Sequence, residues 1–228
     1  MSDKKGFTLI ELLVVIAIIA ILAAILFPVF TRVRQQANKT TCSSNMRQMG
    51  LAVGMYANDW TDRFPLDSHT GSNASWIWVA SLEPYVKSKR LLYRCPSDPS
   101  TNWNKPLEGF LLTRKTSYGT NFWMLPLQFC DELPSICGRN TLRSIRMPAG
   151  TIYIAETKEY GTSDHFHPPW WYWPNDSGTY IEPEKELAMT WHTGGTNYTF
   201  VDGHAKWYRF SQVWSGDGRI DLFDPRRE

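Results

Sequence analysis

Apolar residues crowd the start of the chain and thin out after it. Residues 12–31 are twenty consecutive positions without a formal charge, mostly Ile, Leu, Ala, Val and Phe. At about 1.5 Å per residue such a run spans roughly 30 Å as a helix, the thickness of a bilayer's hydrocarbon core. Residues 7–31 therefore read as a membrane-spanning helix and residues 1–6 as a short polar leader. Lys4 and Lys5 hold that end on the cytoplasmic side, so the remainder is exported. The run is long for the core of a signal peptide, and no Ala-x-Ala site closes it. Pro28 lacks an amide hydrogen, so a bend or a locally melted segment is expected just before it.

Beyond Thr31 the pattern changes. Cys42, Met46, Met49, Val53, Tyr56 and Trp60 step by four, three, four, three and four, which places them on one stripe of a helix continuing over 32–62. The first half is apolar all round; the second is amphipathic and suited to carry a globular head, 63–228. Pro65 ends any continuation. About fifty residues in one helix is far beyond the usual 11–12 and reads as a spine. Within the head, 76–89 predicts a short helix and 117–122 an extended segment. Residues 151–156, introduced by Pro148-Ala149-Gly150, form the best central-strand candidate. Residues 196–201 and 204–210 flank Asp202-Gly203, the signal for a hairpin closed by a two-residue turn. The fold class is α+β, a long N-terminal helix packed on a C-terminal antiparallel β-sheet head with long loops.

Charge and composition narrow the function. The formal net charge is +2, and removing residues 1–6 takes away two lysines and one aspartate, leaving +1. Nothing in that balance implies a nucleic-acid partner. Four cysteines in an exported head favour disulfides over thiols. Glu11, near the start of the membrane helix, is the one anomaly: a carboxylate there is costly unless a cation pairs with it, so it marks function.

The stretch Lys5-Gly6-Phe7-Thr8-Leu9-Ile10-Glu11-Leu12 resembles the cleavage and methylation signal of type IV prepilins and type II secretion pseudopilins. The resemblance implies a type IV pilin-like fold, cutting after Gly6 by a prepilin peptidase and methylation of the new terminus, Phe7. Glu11 would meet the N-terminal amine of a neighbouring copy, and Pro28 matches a family proline in the spanning helix. A second likeness covers most of the chain. His192, nine intervening residues, then Asp202-Gly203 resembles the H-X9-DG signature of a prepilin-like family with a large C-terminal domain (DUF1559-like). Cys42-Ser43-Ser44-Asn45-Met46-Arg47-Gln48 and Tyr93-Arg94-Cys95-Pro96-Ser97-Asp98 are similar to that family too. Together they imply a non-enzymatic structural subunit of a pilus or related filament: a helical homo-oligomer working with an inner-membrane assembly platform and minor pilins. It would lie in the bacterial inner membrane before assembly, head outside the cytoplasm, and in a cell-surface pilus or periplasmic pseudopilus afterwards. The alternatives are a minor pilin or secretion pseudopilin, a pilin-stemmed surface binding module and, last, an exported anchored enzyme.

Candidate chemistry in the head is thinner. A Cys42–Cys95 bond would clamp head to spine, worth roughly 4 kcal/mol by loop closure, with Cys130 and Cys137 closing a small loop of their own. Zinc held by all four is disfavoured because no C-x2-C knuckle is present. His192 before Gly194-Gly195, with Asp202, Gly203 and His204, reads as a loop-fixing structural motif in preference to a metal site or a general base. No cofactor is implied. Calcium held by Asp217, Asp221 and Asp224 stays a weak candidate, although the spacing rejects an EF-hand. In the aromatic run of residues 165–174, Trp170, Trp171 and Trp173 would contact a ligand or another subunit if exposed, and fill the head's core if buried.

Overall fold

The computed structural model describes residues 6–65, 77–88, 94–101, 103, 116–124, 139–158, 165–174 and 178–227. Helix α1, Leu9–Asp59, runs unbroken for 51 residues. The melted segment expected before Pro28 does not occur; the helix passes through it, and Thr31 Oγ1 donates to the Phe27 carbonyl at 3.0 Å. The chain divides into two compact units, Met1–Ala37 and Asn38–Glu228.

The first unit is the apolar end of α1. It is long and apolar enough to cross a membrane. Its large side chains, among them Phe7, Leu9, Ile10, Ile16, Ile21, Phe27 and Phe30, are exposed.

In the second unit α1 presents one face. Cys42, Met46, Met49, Ala52, Val53 and Ala57 are buried along it. The expected stripe holds through Val53 and fades at Tyr56. Trp60 is 57 % exposed, because the helix has ended and Thr61 and Asp62 turn the chain with positive φ. Against this face lies a sheet of β1 (Tyr118–Asn121), β2 (Ile152–Glu156), β3 (His165–Phe166), β4 (Thr196–Phe200) and β5 (Ala205–Tyr208), in the order β3-β1-β2-β4-β5. The β-branched and aromatic run expected as a central strand is β2, at the centre. All pairings are antiparallel except the short edge contact of β1 with β3. The predicted short helix is α2, Ile77–Leu82, extended by a 3-10 turn over Glu83–Tyr85.

The sheet has a core on each side. Toward α1, Met46, Met49 and Val53 meet Trp78, Leu82, Tyr118, Tyr153 and Ile154. On the other side, Ile152, Ala155, Tyr198 and Phe200 pack with Phe166, Trp171, Leu187, Val213 and Phe223. The aromatic run supplies much of this second core: β3 leads into α3, Pro169–Tyr172, and α4, Pro183–Glu186, follows. At its edge Asp221 accepts from the amides of Phe223 (2.8 Å) and Asp224 (3.2 Å) and from the Tyr172 hydroxyl (3.2 Å). Burial pushes the Asp221 carboxyl up to about 6, with the neighbouring Asp224 charge adding to it, and burial beside Asp221 raises the Tyr172 phenol as well.

The β4–β5 hairpin docks directly on α1. Its turn differs from the two-residue form expected from Asp202-Gly203. The Gly203 amide donates to the Phe200 carbonyl, the Phe200 amide to the His204 carbonyl, and of the turn residues only Gly203 has positive φ (88°). That is a three-residue loop, Val201-Asp202-Gly203, with its last residue left-handed. A two-residue type I′ turn would need positive φ at Asp202 too. Gly203 lies against Gly50 of α1, where an added Cβ on Gly50 would come within 2.6 Å of the Gly203 carbonyl oxygen and 2.7 Å of Thr199 Cγ2. Two side chains of β4 reach helix carbonyls: Thr199 Oγ1 donates to Met46 (3.0 Å) and Asn197 Nδ2 to Lys39 (3.4 Å).

Replacing Gly50 with Ala forces backbone from backbone and is expected to cost on the order of 2–3 kcal/mol, whereas Gly54→Ala, with open space at its Cβ, should be neutral or gain up to about 1 kcal/mol in helix propensity. Melting both variants of the full chain in detergent micelles checks the contrast. A second expectation concerns pH. An acid with a raised folded pKa binds its proton more tightly in the fold, so the stability it contributes is complete at low pH. That contribution is lost as pH rises from 3.8 to about 6. Asp221→Asn keeps an acceptor for both amides and should flatten this part of the stability profile, gaining on the order of 1–3 kcal/mol at pH 7; urea unfolding between pH 4 and 7 measures it.

Candidate functional site

Two places carry chemistry. The first is the entry to α1. Thr8 precedes the first helical residue, and its amide and hydroxyl donate to Glu11 Oε2 at 2.8 and 2.6 Å, while the Glu11 amide donates back to Thr8 Oγ1 at 3.3 Å. This is a reciprocal capping box, Thr-x-x-Glu, satisfying amides that a helix start leaves open. Gly6 and Phe7 precede it and are exposed.

The second is a buried polar node where α1, β2 and β4 meet. Cys42 on α1 is bonded to Cys95, with Cα atoms 5.7 Å apart. Cys95 is held by its amide donating to Ser117 Oγ (2.9 Å), and that hydroxyl donates to Asp98 Oδ2 (2.6 Å). His192 Nε2 lies 3.4 Å from Cys95 Sγ and 2.8 Å from Glu156 Oε1 at the end of β2. Glu156 Oε2 accepts from the Asn197 amide at 3.0 Å and from the Thr196 hydroxyl. Cys42, Cys95, Glu156 and His192 are wholly buried. Tyr118 and Tyr198 lie close by; burial raises both phenols far above their ordinary range, and the Glu156 charge raises them further.

The His192 loop is shaped to hold that ring in place. The His192 amide donates to the Gly195 carbonyl (3.0 Å), and Trp207 Nε1 donates to the His192 carbonyl (2.8 Å). Gly194 has φ of 80°, and a Cβ on Gly195 would strike the Trp207 ring. Trp207 in turn lies under Lys39 of α1, whose Nζ is 3.8 Å from a ring centroid. So the two ends of the H-X9-DG signature separate. His192 is in the interior node, whereas Asp202 and Gly203 shape the hairpin turn. Asp202 Oδ1 accepts from the His204 amide (3.1 Å) and faces His204 Nδ1 (2.6 Å), and the His204 ring stacks on Phe200.

The remaining sequence candidates fall as follows. Trp171 is a core residue whose Nε1 donates to Glu186 Oε2 (2.9 Å); Trp170 is half-buried and stacked on His167 at 4.1 Å. Only Trp173 of the three is exposed, at 42 %. Asp217 accepts from Ser215 Oγ and the Arg219 amide, Asp224 accepts from the Arg226 amide and guanidinium, and Asp221 caps its own turn, so each carboxylate has a protein partner. Cys130 and Cys137 lie outside the described residues. Sequence reasoning missed Glu156, the carboxylate that completes the node; the available signal was an acidic residue closing the most β-prone run of the head. It missed as well the buried pair His165 and His167, 2.9 Å apart, the second bonded to Glu186.

Comparison with known proteins fits this arrangement. Residues 1–27 match the prokaryotic N-terminal methylation motif, and residues 31–216 match a family described as a protein of unknown function, DUF1559. The type IV wide pilus major component PilA4 of Thermus thermophilus is 49 % identical over 77 residues, 34 % of this chain and 54 % of that protein. The chain thus spans about half the length of that curated relative. No solved structure matches. The methylation motif and apolar helix make it a membrane-associated, pilin-like protein. By the match over most of its length, the chain belongs to the DUF1559 family.

Proposed function

We propose that the chain is a structural subunit of a type IV pilus or related filament, inserted in the inner membrane, cut after Gly6 by a prepilin peptidase and methylated at Phe7. The observation that carries this is the state of α1. Over residues 7–33 its large apolar side chains are exposed, yet the same helix continues as the support of a folded head. At about 1.5–3 kcal/mol per large apolar side chain, leaving that surface in water costs tens of kcal/mol. A bilayer covers it before assembly, and the helices of other copies cover it within a filament. The cleavage motif directly preceding the helix, and the likeness to a pilus component, support the same reading.

Glu11 then has two successive roles. In the unprocessed chain its carboxylate caps α1 through Thr8. After cleavage it receives the amine of Phe7 from a neighbouring subunit, a charge pair within an apolar bundle that sets the axial position of each helix. An assembly platform and minor pilins complete the machinery on this reading.

Peptide mass spectrometry on the sheared surface fraction of native cells tests the proposal. A peptide beginning at Phe7 with one added methyl group is expected there. Recovery of that peptide only from membranes would point to a pseudopilus or a minor component, and chains beginning at Met1 in every fraction would refute processing. Glu11→Gln separates the two roles of the carboxylate, because the amide oxygen still caps Thr8 but carries no charge. Processed protein should accumulate in the membrane with sheared filaments reduced at least about tenfold, as expected when one buried charge pair of a kilocalorie or more is lost at every subunit contact.

A further inference from the structure

The node behind the hairpin contains more ligating chemistry than a disulfide needs. Cys42, Cys95, Glu156 and His192 each offer one ligating atom, and these four atoms lie within 4.8 Å of one another with every residue buried. We propose that in its dithiol state the protein binds one zinc or similarly thiophilic divalent ion here, through the two thiolates, His192 Nε2 and Glu156 Oε1, and that the disulfide is the alternative, oxidised form of the same site.

Three observations converge on this site. The donor set is two sulfurs, one imidazole and one carboxylate, which suits a tetrahedral borderline-soft ion and leaves no open position, as in structural zinc sites. With metal–ligand bonds of about 2.0–2.3 Å, tetrahedral ligand atoms stand roughly 3.2–3.8 Å apart. The 3.4 Å between His192 Nε2 and Cys95 Sγ already fits, and the 2.8 Å between Nε2 and Glu156 Oε1 has to open by only a few tenths of an ångström.

The surroundings are arranged for ligands rather than for a disulfide alone. The Ser97 amide donates to Cys95 Sγ at 3.4 Å, a bond that steadies a thiolate. Glu156 Oε2 is occupied by Thr196 and the Asn197 amide, which orients Oε1 to the centre. His192 is fixed through its backbone by Gly195 and Trp207. Outer contacts of this kind hold metal ligands in position.

The charge balance is equal in the two forms. A disulfide carries no charge. A divalent ion with two thiolates is neutral as well, so the change of form adds no buried charge, and the two sulfurs move apart to ligand distance as the ion enters. Binding displaces the proton of each thiol, and His192 ligates through an unprotonated Nε2. Cysteines are translated as thiols, so the dithiol form comes first. Oxidation then needs a two-electron acceptor, a thiol–disulfide oxidoreductase of the export compartment, which takes one electron pair as the S–S bond forms and the ion leaves. The inference does not depend on filament assembly.

The test uses the full chain in detergent micelles, carrying Cys130→Ser and Cys137→Ser, reduced anaerobically with a water-soluble phosphine. The disulfide takes up two electrons and two protons while the phosphine gains oxygen from water. Titration with cobalt(II) should saturate at one ion per chain, with thiolate charge-transfer and tetrahedral d–d bands that zinc abolishes; the oxidised chain should show none. His192→Ala and Glu156→Gln should each weaken binding by about tenfold or more and alter the d–d bands. Should those variants fail to fold, the unaltered sites still provide a readout: one equivalent of zinc should slow alkylation of Cys42 and Cys95 at least about tenfold. Absence of thiolate bands, spectra unchanged by His192→Ala, or alkylation unaffected by zinc would each overturn the proposal.

Discussion

The head depends on one close approach, that of the β4–β5 turn to the α1 backbone at Gly50. With no side chain between Gly50 and Gly203, main chain meets main chain, and β4 can lie near enough for Thr199 and Asn197 to reach helix carbonyls. Those carbonyls are already engaged within the helix, so the added bonds use their second lone pairs. The same approach places Trp207 under Lys39 and lets the His192 carbonyl accept from Trp207. A larger residue at Gly50 would lift the hairpin from the helix and loosen these contacts, whereas at Gly203 the positive φ, rather than contact with the helix, opposes a side chain.

The buried node follows from that docking. Once β4 lies on α1 and beside β2, Glu156 is sealed from water and must find its partners inside. It has them in His192, Thr196 and the Asn197 amide. A carboxylate so placed stabilises one arrangement of the three segments and penalises others, since any slip leaves a buried charge short of donors. The Cys42–Cys95 bond then joins this interior to the helix covalently. The chain therefore fixes its head to α1 in three ways: backbone contact, a polar network and a covalent link.

The parts legible in the sequence were those written in local pattern. The apolar run, the three-and-four stripe on α1, the β-prone run of β2 and the paired runs around Asp202-Gly203 each announce their element within a dozen residues. What escaped depends on neighbours distant in the chain. Glu156 and His192 are 36 residues apart and become partners only through the β2–β4 pairing, which no spacing announces. The turn was mis-sized because Asp-Gly serves both loop lengths, and the longer one was selected by the fit of Gly203 against Gly50. The aromatic run of residues 165–174 left burial open, since rings and prolines suit a binding surface and a core equally. Its inward face is decided by Glu186, which takes the Trp171 indole and the His167 amide.

The two halves of α1 obey opposite rules within one uninterrupted helix. Over 42–57 one face is buried against the head, with Gly50 leaving room for the β4–β5 turn, and substitution is limited by that contact. Over residues 7–33 the large apolar side chains are exposed, so selection on them comes from whatever surrounds the chain rather than from its own core. The capping box at Thr8 and Glu11 is the exception in that half, a polar pair that satisfies itself. The two neutral donors of Thr8 fill hydrogen bonds of the Glu11 carboxylate without neutralising it. On the filament reading proposed above, that charge still lacks a cation in the single chain, and the amine created by processing is what would supply it.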